Sequence, residues 1–175
     1  MNEKIFQREL LDGFRRLGAW AAKWPDQAVS HMKVGGDGKL RFALPKPCDL
    51  IGATPEGGRF MGIECKLART PIFHVDARLV RQLETLRDLQ ARGAFAALAL
   101  NFRFVRKRPP LRVNRALLLM GLSGEAWQEG RAFVLALPPL IGLDPKPPAP
   151  MPLYVELSRI SGGWEIPAFV LKGPA

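Results

Sequence analysis

The sequence predicts an α/β fold in which a central mixed β-sheet is flanked by helices. Three observations support this prediction: an amphipathic opening segment, a second helical pattern over about residues 76–92, and a continuous apolar run at residues 94–102. An apolar run of strand length is typical of a strand that is covered on both faces. The order helix, strands, helix, strand therefore places helices on the faces of a sheet.

The opening segment is predicted to be a helix over residues 2–18. Its apolar side chains recur at helical spacing, and Gly18 is a suitable stop. Glu9 lies beside the apolar stripe, so it is a candidate acidic residue for a site on the sheet. On the pattern alone, Glu9 can equally be a solvated residue that pairs with a nearby arginine.

Residues 47–66 are predicted to form two antiparallel strands joined by a hairpin that is rich in Gly and Pro. Asp49 enters the first strand, and Glu64 lies in the second. Because side chains alternate along a strand, Glu64 and Lys66 point to one face and Cys65 to the other. Carboxylates within apolar strands are costly to bury unless a cation or hydrogen bonds satisfy them.

Two carboxylates and an ammonium group suit the hydrolysis of a phosphodiester. Mg²⁺ binds through one or two carboxylates and keeps other positions open for water and phosphate, and Mn²⁺ is an alternative ion. Such an ion lowers the pKa of bound water, while a lysine stabilises developing charge. The structural alternative is that Asp49 caps a turn, while Glu64 and Lys66 pair weakly on an edge strand.

Length and charge indicate a globular protein with a polyanionic partner. The 175 residues are 47% hydrophobic, which fits one domain over residues 1–175, and the formal net charge is +10. Excess Lys and Arg release counterions from a phosphate backbone. No apolar run is long enough to span a bilayer, and the charged first segment is unlike a signal peptide. We therefore expect a cytoplasmic protein with no membrane partner.

The two cysteines, Cys48 and Cys65, flank the proposed site residues. We expect them to be small buried side chains in a reducing compartment, and we expect no disulfide between them.

Two basic segments are candidates for contact with a phosphate backbone. The segment 33–39 is rich in glycine and is predicted to be a mobile loop or an ordinary hairpin tip. The run at residues 102–108 follows the apolar strand and is predicted to be a loop, either solvated or in contact with phosphate.

The C-terminal third is predicted from weaker patterns. Strands are expected at residues 115–120 and 131–137, and a closing hairpin at residues 153–171. Residues 138–152 are rich in proline, which excludes a helix or a central strand and predicts an extended arm or a long loop.

Four segments, in this order, carry a family resemblance: FQREL at 6–10, PCDLI at 47–51, GIECK at 62–66, and PIF through RQL at 71–83. Together they resemble the PD-(D/E)xK nucleases with their restriction-endonuclease-like core. More narrowly, they resemble Holliday junction resolvases of the archaeal Hjc and bacterial or phage RecU type. The resemblance covers roughly residues 3–104. It departs from the family name in that the proline stands two positions before the aspartate.

The resemblance implies roles for particular residues. Asp49 and Glu64 would hold the metal together with the backbone carbonyl of Cys65, and Lys66 would position or activate the attacking water. Glu9 would complete the acidic cluster, directly or through water.

Gln82 and His74 also have expected roles. Gln82 would orient water or phosphate near the metal, although it can also be a helix-surface amide. His74 is expected to be a phosphate contact or a structural residue, not a metal ligand.

The family resemblance implies a metal-dependent endonuclease that resolves four-way DNA junctions by paired nicks. Two symmetric cuts require two active sites, which a homodimer with twofold symmetry provides. The basic residues expected to contact DNA are Arg8, Lys33, Lys39, Arg41, Lys46, Arg69, Arg103, Arg106, Lys107 and Arg108. The expected location is the nucleoid, or the host cytoplasm if a phage encodes the protein. The alternatives are a nuclease of the same fold that acts on linear duplex or flaps, and a non-catalytic DNA-binding recombination module.

Overall fold

A computed structural model describes residues 3–24, 30–34, 38–42, 46–107, 110–134 and 153–172. Its helices are α1 (Glu3–Arg16) and α2 (Ala77–Ala91), and short 3-10 turns lie at Glu125–Trp127 and Ala168–Leu171. The strands are β1 (Trp20–Lys23), β2 (Ser30–Val34), β3 (Gly38–Phe42), β4 (Leu50–Ala53), β5 (Phe60–Ala68), β6 (Ile72–His74), β7 (Phe95–Lys107), β8 (Pro110–Leu119), β9 (Ala132–Val134), β10 (Tyr154–Ile160) and β11 (Gly163–Glu165). In this part of the chain, no helix is long and apolar enough to cross a membrane.

A seven-stranded mixed sheet forms the centre of the fold, in the order β1-β4-β5-β7-β8-β10-β11. Strands β5 and β7 are parallel, and α2 connects them; the other neighbours are antiparallel. The pairs β2–β3 and β6–β9 form separate two-stranded sheets. The predicted fold class, a mixed sheet flanked by helices, is confirmed.

The two helices pack on opposite faces of this sheet. Along β7, Ala97 and Ala99 belong to the core that packs on α1, whereas Leu98 and Leu100 belong to the core that packs on α2. All four are fully buried. The prediction that the apolar run is a strand covered on both faces is therefore confirmed.

Both helices begin and end close to the predicted residues. Gly18 follows α1 with φ +80°, and Gly93 follows α2 with φ +83°, a conformation that favours glycine. Asp76 caps α2, since its Oδ1 accepts a hydrogen bond of 2.7 Å from the backbone N–H of Leu79. The cap fixes the first turn of the helix that carries Gln82.

The basic run at residues 102–108 is a strand, not a loop, up to and including Lys107. Strand β7 continues through it and pairs with β8 as far as Lys107 opposite Pro110. Phe102 and Phe104 pack on the α2 side, while Arg103 and Val105 point to the α1 side, as the alternation of a strand requires. The loop prediction was wrong because it weighed charge above alternation. Arg108 lies outside the described residues.

Residues 72–74 form β6 and pair with β9. The closing hairpin is confirmed for β10 and β11, but β11 ends at Glu165, and the chain then makes a 3-10 turn instead of a longer strand. The proline-rich segment 138–152 lies outside the described residues.

The C-terminal hairpin packs closely on α1. A Cβ atom at Gly13 would lie 2.6 Å from the carbonyl oxygen of Trp164, and a Cβ atom at Gly163 would lie 2.9 Å from that of Glu9. Arg16 Nη2 donates to the carbonyl oxygen of Trp164 over 2.9 Å. Glycine at both positions is therefore required for the helix and β11 to approach this closely.

Candidate active site

The hairpin of β4 and β5 holds Asp49 against β5. Leu50 pairs with Ile63, and one residue earlier the N–H of Asp49 donates to the carbonyl oxygen of Ile63 over 3.0 Å. The side chain of Asp49 then continues the ladder, because its Oδ2 accepts a hydrogen bond of 3.0 Å from the N–H of Cys65. Asp49 therefore lies beside Glu64, as the predicted hairpin requires.

Glu64 and Lys66 lie on the face of β5 that α2 covers, while Cys65 packs in the core on the α1 face. Oε1 of Glu64 accepts a hydrogen bond from Lys66 Nζ and a second, of 2.6 Å, from Gln82 Nε2 on α2. The other amide atom, Gln82 Oε1, is buried and has no hydrogen-bond partner among the described residues. A buried acceptor of this kind is free to bind water or a ligand.

These side chains line one cavity of about 410 Å³, which we call the site cavity. Its lining residues are Glu3, Lys46, Asp49, Glu64, Lys66, Arg78, Arg81, Gln82 and Thr85. Of the five residues predicted to act in catalysis, four therefore share the site cavity, and Glu9 does not.

The carboxylates of the site cavity are poorly solvated. Glu64 is 2% exposed and Asp49 is 7% exposed. Burial raises the pKa of the Glu64 carboxyl, the ammonium of Lys66 lowers it, and the negative charge of Asp49 raises it again. Burial likewise raises the pKa of Glu3. The site therefore requires positive charge to keep its carboxyl groups ionised.

The donor set fits a hard divalent metal. Among the described residues, no three side chains of His, Cys, Asp and Glu are placed together to hold a metal ion. Mg²⁺, however, is commonly held by one or two carboxylates with water filling the other positions. Asp49 and Glu64 supply two carboxylates in the site cavity.

A backbone oxygen is available beside them. The N–H and C=O groups of one strand residue point to the same side, and the N–H of Cys65 points to Asp49. The carbonyl of Cys65 therefore points to the same edge of β5, past the last pair of the β4 ladder, Leu50 with Ile63. This placement agrees with the role that the family resemblance gives to this carbonyl.

Glu3, not Glu9, is the acidic residue that α1 brings to the site cavity. Glu9 instead accepts hydrogen bonds from Arg159 Nη2 over 2.8 Å and from Trp164 Nε1 over 3.1 Å, in the C-terminal hairpin. Six residues separate the two acids, which places them roughly 120° apart around the helix. The prediction chose the acid beside the apolar stripe, but the N-terminal end of α1 is the end that reaches the site.

Of the basic residues assigned to DNA, Lys46 lies within the site cavity. Its Nζ is 2.6 Å from Oδ1 of Asp49. Arg8 is exposed on α1. Lys33 and Lys39 lie opposite each other in the pair β2–β3, which confirms the hairpin and excludes a loop at these two residues.

The remaining candidates are spread over other strands. Arg41 lies on β3, Arg106 and Lys107 lie on β7, and Arg69 and Arg103 line a second cavity described below. His74 is exposed on β6 and does not line the site cavity.

Two arginines of the site cavity had no predicted role. Arg78 and Arg81 lie on α2 with Gln82 and Thr85, at the spacing i, i+3, i+4, i+7 that marks one helix face. The sequence showed this face as polar. Because Gln82 lies on the same face of α2, its predicted role could have assigned this face to the site.

Comparison with solved structures finds several similar chains. Among them is the Hjc protein of Archaeoglobus fulgidus. That protein is a Holliday junction resolvase from an archaeal hyperthermophile. The match has 25% sequence identity and a TM-score of 0.38, and it covers 65% of this chain and 74% of that one. No protein-family model and no curated protein matches the chain, so function is inferred below from the side chains of the site.

Proposed function

We propose that the chain is a metal-dependent endonuclease that resolves four-way DNA junctions by paired nicks. The observation that carries this proposal is the convergence of Asp49, Glu64 and Lys66 in one cavity, with both carboxylates buried. Buried acids beside a lysine are costly for stability, so a catalytic use is the simplest reason for their presence. The net charge of +10 supports a nucleic acid substrate.

Asp49, Glu64 and the carbonyl of Cys65 would hold the metal, Mg²⁺ or alternatively Mn²⁺. When bound, such an ion lowers the pKa of a coordinated water and offsets negative charge on the phosphoryl oxygens. The chain holds Asp49 ready for this role, because the N–H of Cys65 fixes one of its oxygens and leaves Oδ1 directed to Lys46.

The other side chains of the site cavity would bind and orient the reacting groups. Lys66, with 21% of its side chain exposed, presents an ammonium next to Glu64, where it can orient the attacking water and stabilise developing negative charge. Gln82 fixes the Glu64 carboxylate through its Nε2, and its unpartnered Oε1 can accept a hydrogen bond from that water. Arg78 and Arg81, which line the same cavity, would bind the scissile phosphate.

Specificity for a junction would come from shape. Phosphate contacts position a protein on DNA but carry no sequence information, so a basic protein with this site selects a branched backbone geometry. Two cuts on symmetry-related strands require two copies of the site, and a homodimer with twofold symmetry supplies them.

The test uses a labelled synthetic four-way junction with the wild-type protein, in Mg²⁺ or in EDTA. Asp49→Asn removes the proposed ligand, and Asp88→Asn, on the exposed surface of α2, is the matched control. We expect paired symmetric nicks from the wild type and from Asp88→Asn in Mg²⁺ only, and none from Asp49→Asn. Cleavage by Asp49→Asn, or cleavage in EDTA, would refute the proposal.

Parallel substrates separate the other functions. If linear duplex or flap DNA is cut as fast as the junction, the chain is a nuclease of this type without junction selectivity. Binding without any cleavage would indicate a DNA-binding recombination module.

A further inference from the structure

A second cavity, of about 360 Å³, lies on the other face of the sheet from Glu64. Arg69, Arg103 and Arg112 line it, so we call it the arginine cavity. Arg103 shares the face of β7 that carries Ala97 and Ala99, which is the α1 face. Arg112 lies opposite Val105, and therefore on the same face.

The strand pairing brings the three arginines close together. Arg103 lies opposite Asn114, two residues from Arg112, so the two arginines are diagonal neighbours, roughly 7 Å apart. The parallel ladder of β5 and β7 ends with Ala68 opposite Phe102, which places Arg69 beside Arg103 one residue later. The three arginines therefore lie close together, where β5 ends beside β7 and β7 pairs with β8.

Among the described residues, no carboxylate forms an ion pair with these arginines, whereas Arg15, Arg115, Arg131 and Arg159 each pair with an acid. Like charges at neighbouring positions of a sheet are destabilising. An anion bound among them would offset this repulsion.

The arginine cavity and the site cavity lie on opposite faces of the sheet, at the same end of β5. Lys66 lines the site cavity, and the next residue, Leu67, lines the arginine cavity from the opposite face. A nucleic acid that follows this end of the sheet from one face to the other would contact both cavities. We infer that the arginine cavity binds a phosphodiester group of the DNA backbone, in a stretch adjacent to the one that is cut. This inference rests on the proposed function and names a second DNA contact of the same enzyme.

Guanidinium groups are suited to this ligand. Arginine donates in a planar fork that matches two phosphate oxygens, and it is more weakly hydrated than lysine. Apolar side chains that line the cavity on the same face, Leu67 and Val105, reduce solvent around the bound phosphate.

The experiment measures binding of a fluorescent four-way junction in EDTA, where no cleavage occurs, between about 50 and 200 mM salt. The variants are Arg103→Ala and Arg112→Ala. Arg92→Ala, at the exposed C-terminal end of α2, removes the same charge at the opposite end of β7. Arg112→Lys keeps the charge in place.

Each alanine variant of the cavity should reduce the slope of log K against log salt by about 0.9, the value for one lost phosphate contact. Arg112→Lys should keep the wild-type slope, and so should Arg92→Ala. With Mg²⁺, the cavity variants should raise KM and retain kcat. Unchanged slopes in Arg103→Ala and Arg112→Ala, or an equal loss in Arg92→Ala, would overturn the inference.

The two proposals fail in different ways. If the slopes change as expected but no variant or wild type cuts the junction, the nuclease proposal fails and the phosphate contact stands. If the wild type cuts and the slopes do not change, the arginine cavity is not a DNA contact.

Discussion

Replacing Lys46 with methionine is expected to tighten metal binding at the site. One oxygen of Asp49, Oδ2, accepts a hydrogen bond from the N–H of Cys65, and the other, Oδ1, lies 2.6 Å from Lys46 Nζ. A metal that binds Asp49 through Oδ1 must therefore displace the ammonium group. Methionine keeps the length and apolar stem of the side chain but cannot compete for this oxygen.

The magnitude follows from the exposure of the pair. The Lys46 side chain is 32% exposed and that of Asp49 is 10% exposed, so the pair lies between a surface ion pair and a buried one. Exposed pairs contribute about 0 to 1 kcal/mol, and fully buried pairs are harder to break. We take about 1 to 2 kcal/mol for this pair, which corresponds to roughly five- to thirty-fold tighter metal binding.

The assay is a titration of the metal-free protein with Mn²⁺, followed by the electron paramagnetic resonance signal of the free ion. Lys172→Met, at an exposed position, removes the same charge and serves as the control. An affinity for Mn²⁺ that does not rise in Lys46→Met, or that rises equally in Lys172→Met, would refute the reasoning. If the affinity does not rise in Lys46→Met, Lys46 does not compete with the metal for Asp49. If the affinity rises equally in Lys172→Met, the cause is the lower net charge of the protein.

Three further predictions concern the acids and the cysteines. Glu3→Gln should slow junction cleavage, whereas Glu9→Gln should leave cleavage intact and lower the melting temperature; the reverse pattern would restore Glu9 to the site. Because burial raises the pKa of Glu64, the metal-free folded protein binds its proton more tightly than the unfolded chain, so stability falls as pH rises from the unfolded value of 4.5 through the folded pKa. Glu64→Gln should flatten this fall in melts recorded in EDTA, and an unchanged pH dependence would contradict the assignment. Both cysteines are free and buried, and burial raises the pKa of Cys48 to about 12, so mass spectrometry should find Cys48 and Cys65 alkylated by iodoacetamide only after denaturation.

Much of the fold could be predicted because local signals agreed with the tertiary structure. Helix α2 has a capping aspartate, an apolar stripe and a terminal glycine, and β7 has an uninterrupted apolar run. The β4–β5 hairpin was predictable from turn residues between apolar strands. Its geometry alone then placed Asp49, Glu64 and Lys66 near each other, because a strand fixes which side chains share a face.

The features that could not be predicted depend mostly on which secondary-structure elements contact each other. The choice between Glu3 and Glu9 depends on which end of α1 contacts β5, and neither periodicity nor charge contains that information. Arg112 and Arg103 are close only through the pairing of β7 with β8, which the prediction of a loop at residues 102–108 concealed. The small sheet of β6 and β9 joins segments far apart in sequence, each only three residues long.

The close packing of α1 on β11 has a consequence for folding in the cell. The first helix brings Glu3 to the site, yet the strand that packs on this helix is synthesised much later, with Arg16 and Trp164 separated by 148 positions. Contacts between distant parts of a chain form slowly, because loop closure must precede them. A nascent chain in which β11 has not yet been synthesised therefore lacks one wall of the support for α1, and Glu3 should be held in the site cavity only after β11 has left the exit tunnel.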